Sequence, residues 1–135
     1  MVQRVLRKST YDYYVVCDGG KDKRGCYGSY HIYRDDKIVV EESQYNYPAL
    51  STNNEAEYMA LIRALERLLQ VKGSHTNILV ISDSELMVNQ LLGYFAVRAD
   101  HLILLHGTAK ELLNRSDSWY LIHVPRKVIE RILGH

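Results

Sequence analysis

No apolar run in this chain is long enough to cross a bilayer. The longest, NILVI from Asn77 to Ile81 and HLILL from His101 to Leu105, fall far short of the roughly 20 residues that a spanning helix requires. The opening MVQRVLRKST has no sustained apolar stretch of the kind that a secretory signal carries. A soluble, cytoplasmic protein with no membrane partner is therefore expected. Cysteine is scarce, and the spacing of Cys17 and Cys26 matches no metal-binding or redox pattern. Both read as small buried residues of neighbouring strands, and a disulfide is not expected in a reducing compartment. An excess of one charge sign is also missing: 17 Lys and Arg stand against 16 Asp and Glu, a net charge of +1. The molecule as a whole thus has no field that draws in a polyanion. No repeat, low-complexity tract or linker interrupts the chain. Its 135 residues suffice for one sizeable core and not for two, which predicts a single domain over residues 1–135 and gives no sign of an obligate oligomer, so a monomer is expected.

What is present is a globular composition, 47% hydrophobic and 24% charged, with a legible order of elements. YDYYVVCDGG is β-rich and is expected to stop at its paired glycines. GCYGSYHIYRDDKIVVEESQY then reads as two strands turning at Asp35 and Asp36, which completes an antiparallel meander. Ala60, Leu61, Ala64, Leu65 and Leu68 recur at helical spacing opposite Arg63, Glu66, Arg67 and Gln70, so a helix runs through this stretch and ends near Gly73. NILVI is short and continuously apolar, the mark of a strand buried on both faces of a partly parallel sheet. Further helices are expected over SELMVNQLLG, from Leu102 to Asn114 and over RKVIERIL, with a strand at WYLIHV. The sum is an α/β architecture, a mixed five-stranded sheet with a three-stranded meander and parallel strands, flanked by helices.

Acidic residues at the element boundaries carry the chemistry. In STNNEAEYMALI, Thr52 and Glu55 form the S/T-x-x-E pattern in which hydroxyl and carboxylate each satisfy an orphan backbone N–H at a helix start. Glu55 is explained by that role. Glu57 is not, because it shares a stripe with Leu61, Ala64 and Leu68, which sets a charge at the edge of the core-facing side. Asp18 lies at the end of the first strand before Gly19 and Gly20, and Asp83 directly follows NILVI. Ligand sites of open α/β sheets gather beyond the carboxyl ends of strands. Taken singly, DGG is a common hairpin turn and SDS a common helix cap. Together, three carboxylates at one sheet edge repel one another and raise each other's pKa unless a cation sits between them, and an oxygen-only ligand set favours Mg²⁺ or Mn²⁺. Gly19 and Gly20 would let a substrate backbone approach closely, and Asn53 and Asn54 offer donors and acceptors suited to a sugar hydroxyl or a base edge. KDKR, from Lys21 to Arg24, and PRK, from Pro125 to Lys127, with Arg131 are positioned to meet phosphates only if they flank this site.

CDGG, TNNEAEYMALIRAL, SDSELMVNQLLG and IHVPR, in that order and on those elements, resemble type 1 ribonuclease H over essentially the whole chain. The resemblance implies the ribonuclease H-like fold and an endoribonuclease that cuts the RNA strand of RNA/DNA hybrids. It implies that Asp18, Glu57 and Asp83 hold two Mg²⁺ (or Mn²⁺) ions and that hydrolysis is two-metal, leaving 5′-phosphate and 3′-hydroxyl ends. It sets Gly19, Gly20, Thr52, Asn53, Asn54 and Ser84 against the hybrid, read by shape and 2′-hydroxyls rather than by base sequence.

The chain departs from that family's pattern in three places. KDKRG follows DGG in place of a GNPG-like segment, and GYFAVRADHL has no basic, tryptophan-bearing protrusion, as in a compact form of the family. The fourth acid, about eight residues beyond the proline of VPR in most members, is here Leu133. Glu130 falls on the polar face of the last helix, four residues from Arg126, where an i,i+4 pair is the expected role. Gly134 can end that helix in a left-handed turn, which would let His135 present an imidazole and a terminal carboxylate; His135 is expected to stand in for the missing Asp, an imidazole preferring Mn²⁺ to Mg²⁺. Tyr27 or Tyr30 could abut nucleic acid. Two other functions remain open: a weak or inactive module that binds hybrid without cutting it, and a related nuclease acting on another nucleic acid.

Overall fold

The computed structural model describes residues 11–72 and 76–134. Three strands, β1 (Tyr13–Asp22), β2 (Gly25–Arg34) and β3 (Lys37–Tyr47), are followed by helix α1 (Asn53–Lys72), strand β4 (Asn77–Ser82), helices α2 (Glu85–Leu92) and α3 (Asp100–Leu113), strand β5 (Ser118–His123) and helix α4 (Arg126–Leu133). The strands make one five-stranded sheet in the order β3-β2-β1-β4-β5. β1, β2 and β3 are antiparallel neighbours, while β4 runs parallel to both β1 and β5. This is the mixed sheet that the sequence led us to expect. Asp35 and Asp36, with φ of 52° and 65°, turn the chain between β2 and β3 with the double positive φ of a two-residue hairpin that matches strand twist. No helix of the described residues is long and apolar enough to cross a membrane.

The central strands of the sheet are buried on both faces. Ile78 and Val80 of β4 join Val15, Cys17, Leu61, Leu65 and Leu68 beneath α1, whereas Leu79 and Ile81 join Tyr14, Val16, Ile129 and Leu133 beneath α4. That division is the reason NILVI alternates with nothing polar. Each fully buried leucine or isoleucine in these layers contributes about 1.5–3 kcal/mol relative to an exposed one.

One boundary differs from expectation. β1 does not stop at its glycines: Gly19 pairs with Gly28, Gly20 with Tyr27, and the strand continues to Asp22. The parallel pairing with β4, however, runs only from Tyr13 to Val16. Asp18 therefore stands inside β1 yet just past the end of the parallel sheet, and the DGG hairpin turn is excluded.

Candidate active site

Local chemistry sets each acid in place. Thr52 and Glu55 form the reciprocal cap: Thr52 N–H donates to Glu55 Oε1 at 3.0 Å and Glu55 N–H donates to Thr52 Oγ1 at 3.1 Å. Burial works against ionisation of Glu55, but the hydrogen bonds from Ser51 and Thr52 outweigh it and hold the carboxyl below its ordinary range. With the start of α1 fixed in this way, Glu57 lies one helical turn before the buried Leu61 and is carried inward with it. Asp83 follows β4 directly. Ser84 then caps α2, its hydroxyl accepting from Met87 N–H at 3.2 Å.

The three acids converge. One carboxylate oxygen from each of Asp18, Glu57 and Asp83 lies within 4.8 Å of the other two. Asp18 and Glu57 are buried, at 2% and 8% exposure, and the side chain of Asp83 is 7% exposed. The energetic consequence is visible at Glu57, whose carboxyl is pushed up to about 9, by burial first and then by the charges of Asp18 and Asp83, against the hydrogen bond from Gly19 N–H. Directly beneath, burial and the same three acids raise the Cys17 thiol well above its usual value, so it is an inert packing residue.

A divalent cation fits this donor set. Glu57 Oε2 is buried and meets no hydrogen-bond donor, an arrangement that costs several kcal/mol for an ionised group unless a cation compensates it. All the converging ligands are oxygens, the preference of hard ions such as Mg²⁺ and Mn²⁺.

Glu57 and Asp83 line an open cleft of about 420 Å³ together with Gly19, Gly20, Lys21, Tyr27, Asn53, Asn54, Ser84 and Arg126. Lys21 and Arg126 thus bring one charge from each basic cluster to the acids. Asn53 and Asn54 are exposed at the start of α1. Thr52 is occupied as the cap and does not line the cleft.

The glycines have a structural use besides the one expected of them. The backbone that approaches Gly19 is the protein's own: a Cβ there would stand 2.2 Å from Ala56 O and 2.6 Å from Glu57 N, and Gly19 N–H donates to Glu57 Oε1 at 3.2 Å. A Cβ on Gly20 would stand 2.6 Å from the Tyr27 hydroxyl. Tyr27 lines the cleft, but Tyr30 is fully buried with its hydroxyl on Glu42 at 2.5 Å, which removes Tyr30 from any nucleic-acid surface.

At the fourth position Leu133 is 5% exposed and packs with Ile129. Glu130 makes the expected pair, accepting from Arg126 Nε at 3.0 Å. Gly134 adopts the left-handed cap at φ 76°, and His135 lies outside the described residues. Arg126, expected to matter only if its basic cluster flanked the site, does flank it: its Nη1 lies 3.6 Å from Asp83 Oδ2, a proximity to the acids that spacing alone did not signal.

Comparison with known proteins agrees with this geometry. A family model described as reverse transcriptase-like matches residues 18–130. Ribonuclease HI of Halobacterium salinarum (strain ATCC 700922 / JCM 11081 / NRC-1) is 40% identical over 81 residues, 60% of this chain and 40% of that protein, so the match spans about two fifths of the relative's length. Among solved structures, RNase H1 from the halophilic archaeon Halobacterium salinarum NRC-1 superposes with a TM-score of 0.77 at 32% identity, covering 88% of this chain and 89% of its own. LC11-RNase H1, isolated from compost and solved in complex with RNA/DNA hybrid, gives a TM-score of 0.77 at 27% identity over 88% of this chain and 89% of its own. With one model spanning the element order from Asp18 to Glu130 and a ribonuclease H1 matched along nearly its whole length, the chain belongs to the reverse transcriptase-like family and, within it, to the type 1 ribonucleases H.

Proposed function

We propose that this protein is a metal-dependent endoribonuclease that hydrolyses the RNA strand of RNA/DNA hybrids. The observation that carries the reading is the convergence of Asp18, Glu57 and Asp83 within 4.8 Å around a carboxylate oxygen with no donor. Two Mg²⁺ (or Mn²⁺) ions held by these residues would supply an activated water and stabilise charge on the leaving oxygen. The protein's own part is to bind and orient. Lys21 and Arg126, both in the lining of the cleft, offer the phosphate backbone positive charge. Asn53, Asn54 and Ser84, with the backbone at Gly19 and Gly20, face the sugar edge of one strand, where 2′-hydroxyls distinguish RNA from DNA. Thr52 acts on substrate only by fixing the start of α1. That a relative was solved with bound hybrid supports the choice of substrate. The reading takes residues 1–135 as one domain, working as a monomer in the cytoplasm, and gives the fourth ligand position to His135.

The experiment compares hybrid, all-RNA and all-DNA duplexes side by side in Mg²⁺ and in Mn²⁺, with Asp83→Asn as control. Cleavage of the hybrid alone, with 5′-phosphate products and none from the variant, is expected. Cleavage of another duplex instead would move the enzyme to a different substrate. Binding of hybrid without turnover would favour the second reading, a hybrid-binding module, for which the apolar Leu133 at the fourth acidic position is the supporting observation. Removing His135 is expected to lower cleavage in both metals, and an unchanged rate would withdraw its role.

A further inference from the structure

Arg126, the first residue of α4, reaches the carboxylate cluster without bonding to it. The 3.6 Å between its Nη1 and Asp83 Oδ2 is contact between opposite charges but is too long for a hydrogen bond. The guanidinium instead donates from Nε to Glu130 Oε1 at 3.0 Å, one turn along the helix, and shares the lining of the cleft with Tyr27. Tyr27 is itself seated against Gly20, where even a methyl group would collide with its hydroxyl. The guanidinium is therefore bonded along α4 and has a tyrosine of β2 as its polar neighbour across the cleft lining.

We propose that Glu130 and Tyr27 clamp Arg126 beside the cluster, so that its charge softens the repulsion among Asp18, Glu57 and Asp83 without occupying the oxygens that a divalent ion needs. Guanidinium is built to take a carboxylate with two parallel hydrogen bonds. Released from Glu130, Arg126 has such a partner in Asp83, whose side chain is almost wholly withdrawn from water, where opposite charges attract more strongly than at the surface. A closed Arg126–Asp83 pair would compete with the ion for the same oxygens. Leu133 adds no acid at the fourth position, so among the described residues the guanidinium faces three carboxylates, and a shift of about an ångström in its position changes how its charge is shared among them. Glu130 and Tyr27 are in this account positioning residues, acting through Arg126.

The inference rests on the metal site proposed above, and its test separates the two. Mn²⁺ is titrated calorimetrically into the metal-free full chain as wild type, Glu130→Gln, Tyr27→Phe, Arg126→Gln and the Glu130→Gln/Arg126→Gln double variant, with thermal melts to verify folding. Glu130→Gln is expected to weaken Mn²⁺ binding about three- to fivefold, the range that coupling within an exposed ion pair supports, and by less than about twofold once Arg126 is absent. Tyr27→Phe, which keeps the ring and every charge, should weaken binding in the same direction, and Arg126→Gln should tighten it. Equal effects of Glu130→Gln in both backgrounds would show a remote charge rather than a clamp and overturn the proposal. Wild-type affinity in Tyr27→Phe would strike that residue from it. If wild type itself takes up no Mn²⁺, the metal site fails, and the clamp fails with it.

Discussion

Replacing Gly19 by alanine adds one methyl group to the most crowded backbone position of the site. The new Cβ would lie 2.2 Å from Ala56 O, 2.3 Å from Ala56 C and 2.6 Å from Glu57 N. All three are main-chain atoms held by α1, so no side chain can rotate away. Tight but real contacts begin at 3.0–3.4 Å, which means that the start of α1 must withdraw from β1 by about 1 Å. Overpacking of this sort costs about 1–3 kcal/mol, and unyielding backbone on both sides argues for the upper end. The same movement stretches the Gly19–Glu57 hydrogen bond, worth about 1 kcal/mol more. A loss of about 3–4 kcal/mol is a large part of the 5–15 kcal/mol by which domains are typically stable. It should appear as a lowered urea midpoint in far-UV circular dichroism. In molecules that still fold, Glu57 is displaced by the same distance, and misplacement of about 1 Å costs on the order of a hundredfold in rate, which a hybrid-cleavage assay in Mg²⁺ would read. A Gly19→Ala protein with the wild-type midpoint and full activity would refute the close packing of β1 against α1 on which the site is built.

The same substitution in α3 should have the opposite sign: a Cβ on Gly107 meets nothing within 4 Å, so Gly107→Ala is expected to raise stability by about 0.5–1 kcal/mol, and a lowered midpoint would contradict the open surface there. Because the folded protein holds the Glu57 proton up to about pH 9, whereas the unfolded chain releases it near 4.5, the native state binds more protons across that window and its stability falls as pH rises through it. Thermal melts in chelator should therefore decline from pH 5 to pH 9, and saturating Mg²⁺ should flatten the decline; equal melts across the range in chelator would refute the burial of Glu57. Asp83→Asn removes one of the charges that raise Glu57, so it should raise the melting temperature in chelator while lowering cleavage on the order of a thousandfold, the equivalent of several kcal/mol of lost charge stabilisation. Leu133→Asp should not repair the fourth position but destabilise the protein by more than about 3 kcal/mol, since the carboxylate would enter the apolar layer with Ile129; a stable variant with faster cleavage would show that Leu133 can turn toward the cleft.

Features governed by neighbours along the chain were legible in the sequence. The Thr52–Glu55 cap, the turn at Asp35 and Asp36, the doubly buried NILVI strand and the Arg126–Glu130 pair each depend on residues at most six positions apart, and each stands where local chemistry sets it. Glu55 is spent on the cap, which leaves Glu57 as the acid of that turn in need of a partner. What the sequence concealed depends on register. Two adjacent glycines signal a turn by every local rule, yet here Gly19 and Gly20 continue β1, because opposite them lie Gly28 and Tyr27 and above Gly19 lies the backbone of α1. No spacing rule connects position 19 with position 56. Tyr27 and Tyr30 are likewise indistinguishable as strand tyrosines, but they fall on opposite faces of β2, so one enters the cleft and the other the core.

Assembling three acids at one point sets a conflict between folding and chemistry. Folding favours separated or neutral carboxyls, whereas an ion site needs them ionised and close. Two features of this structure lessen the conflict without dispersing the charge. Glu57 can keep its proton at neutral pH, since burial and two neighbouring acids raise it to about 9, and Arg126 lends a nearby positive charge that is bonded elsewhere. Both are reversible. With a divalent ion held by Asp18, Glu57 and Asp83, the ionised form of Glu57 would be favoured and its proton released, and the guanidinium, 3.6 Å from Asp83, would have no hydrogen bond to break there. The position of Leu133 suits this economy. A fourth buried carboxylate would add repulsion that neither the proton nor the guanidinium offsets, whereas a leucine packed with Ile129 contributes to the layer that anchors α4, and α4 in turn holds Arg126 in reach of Asp83.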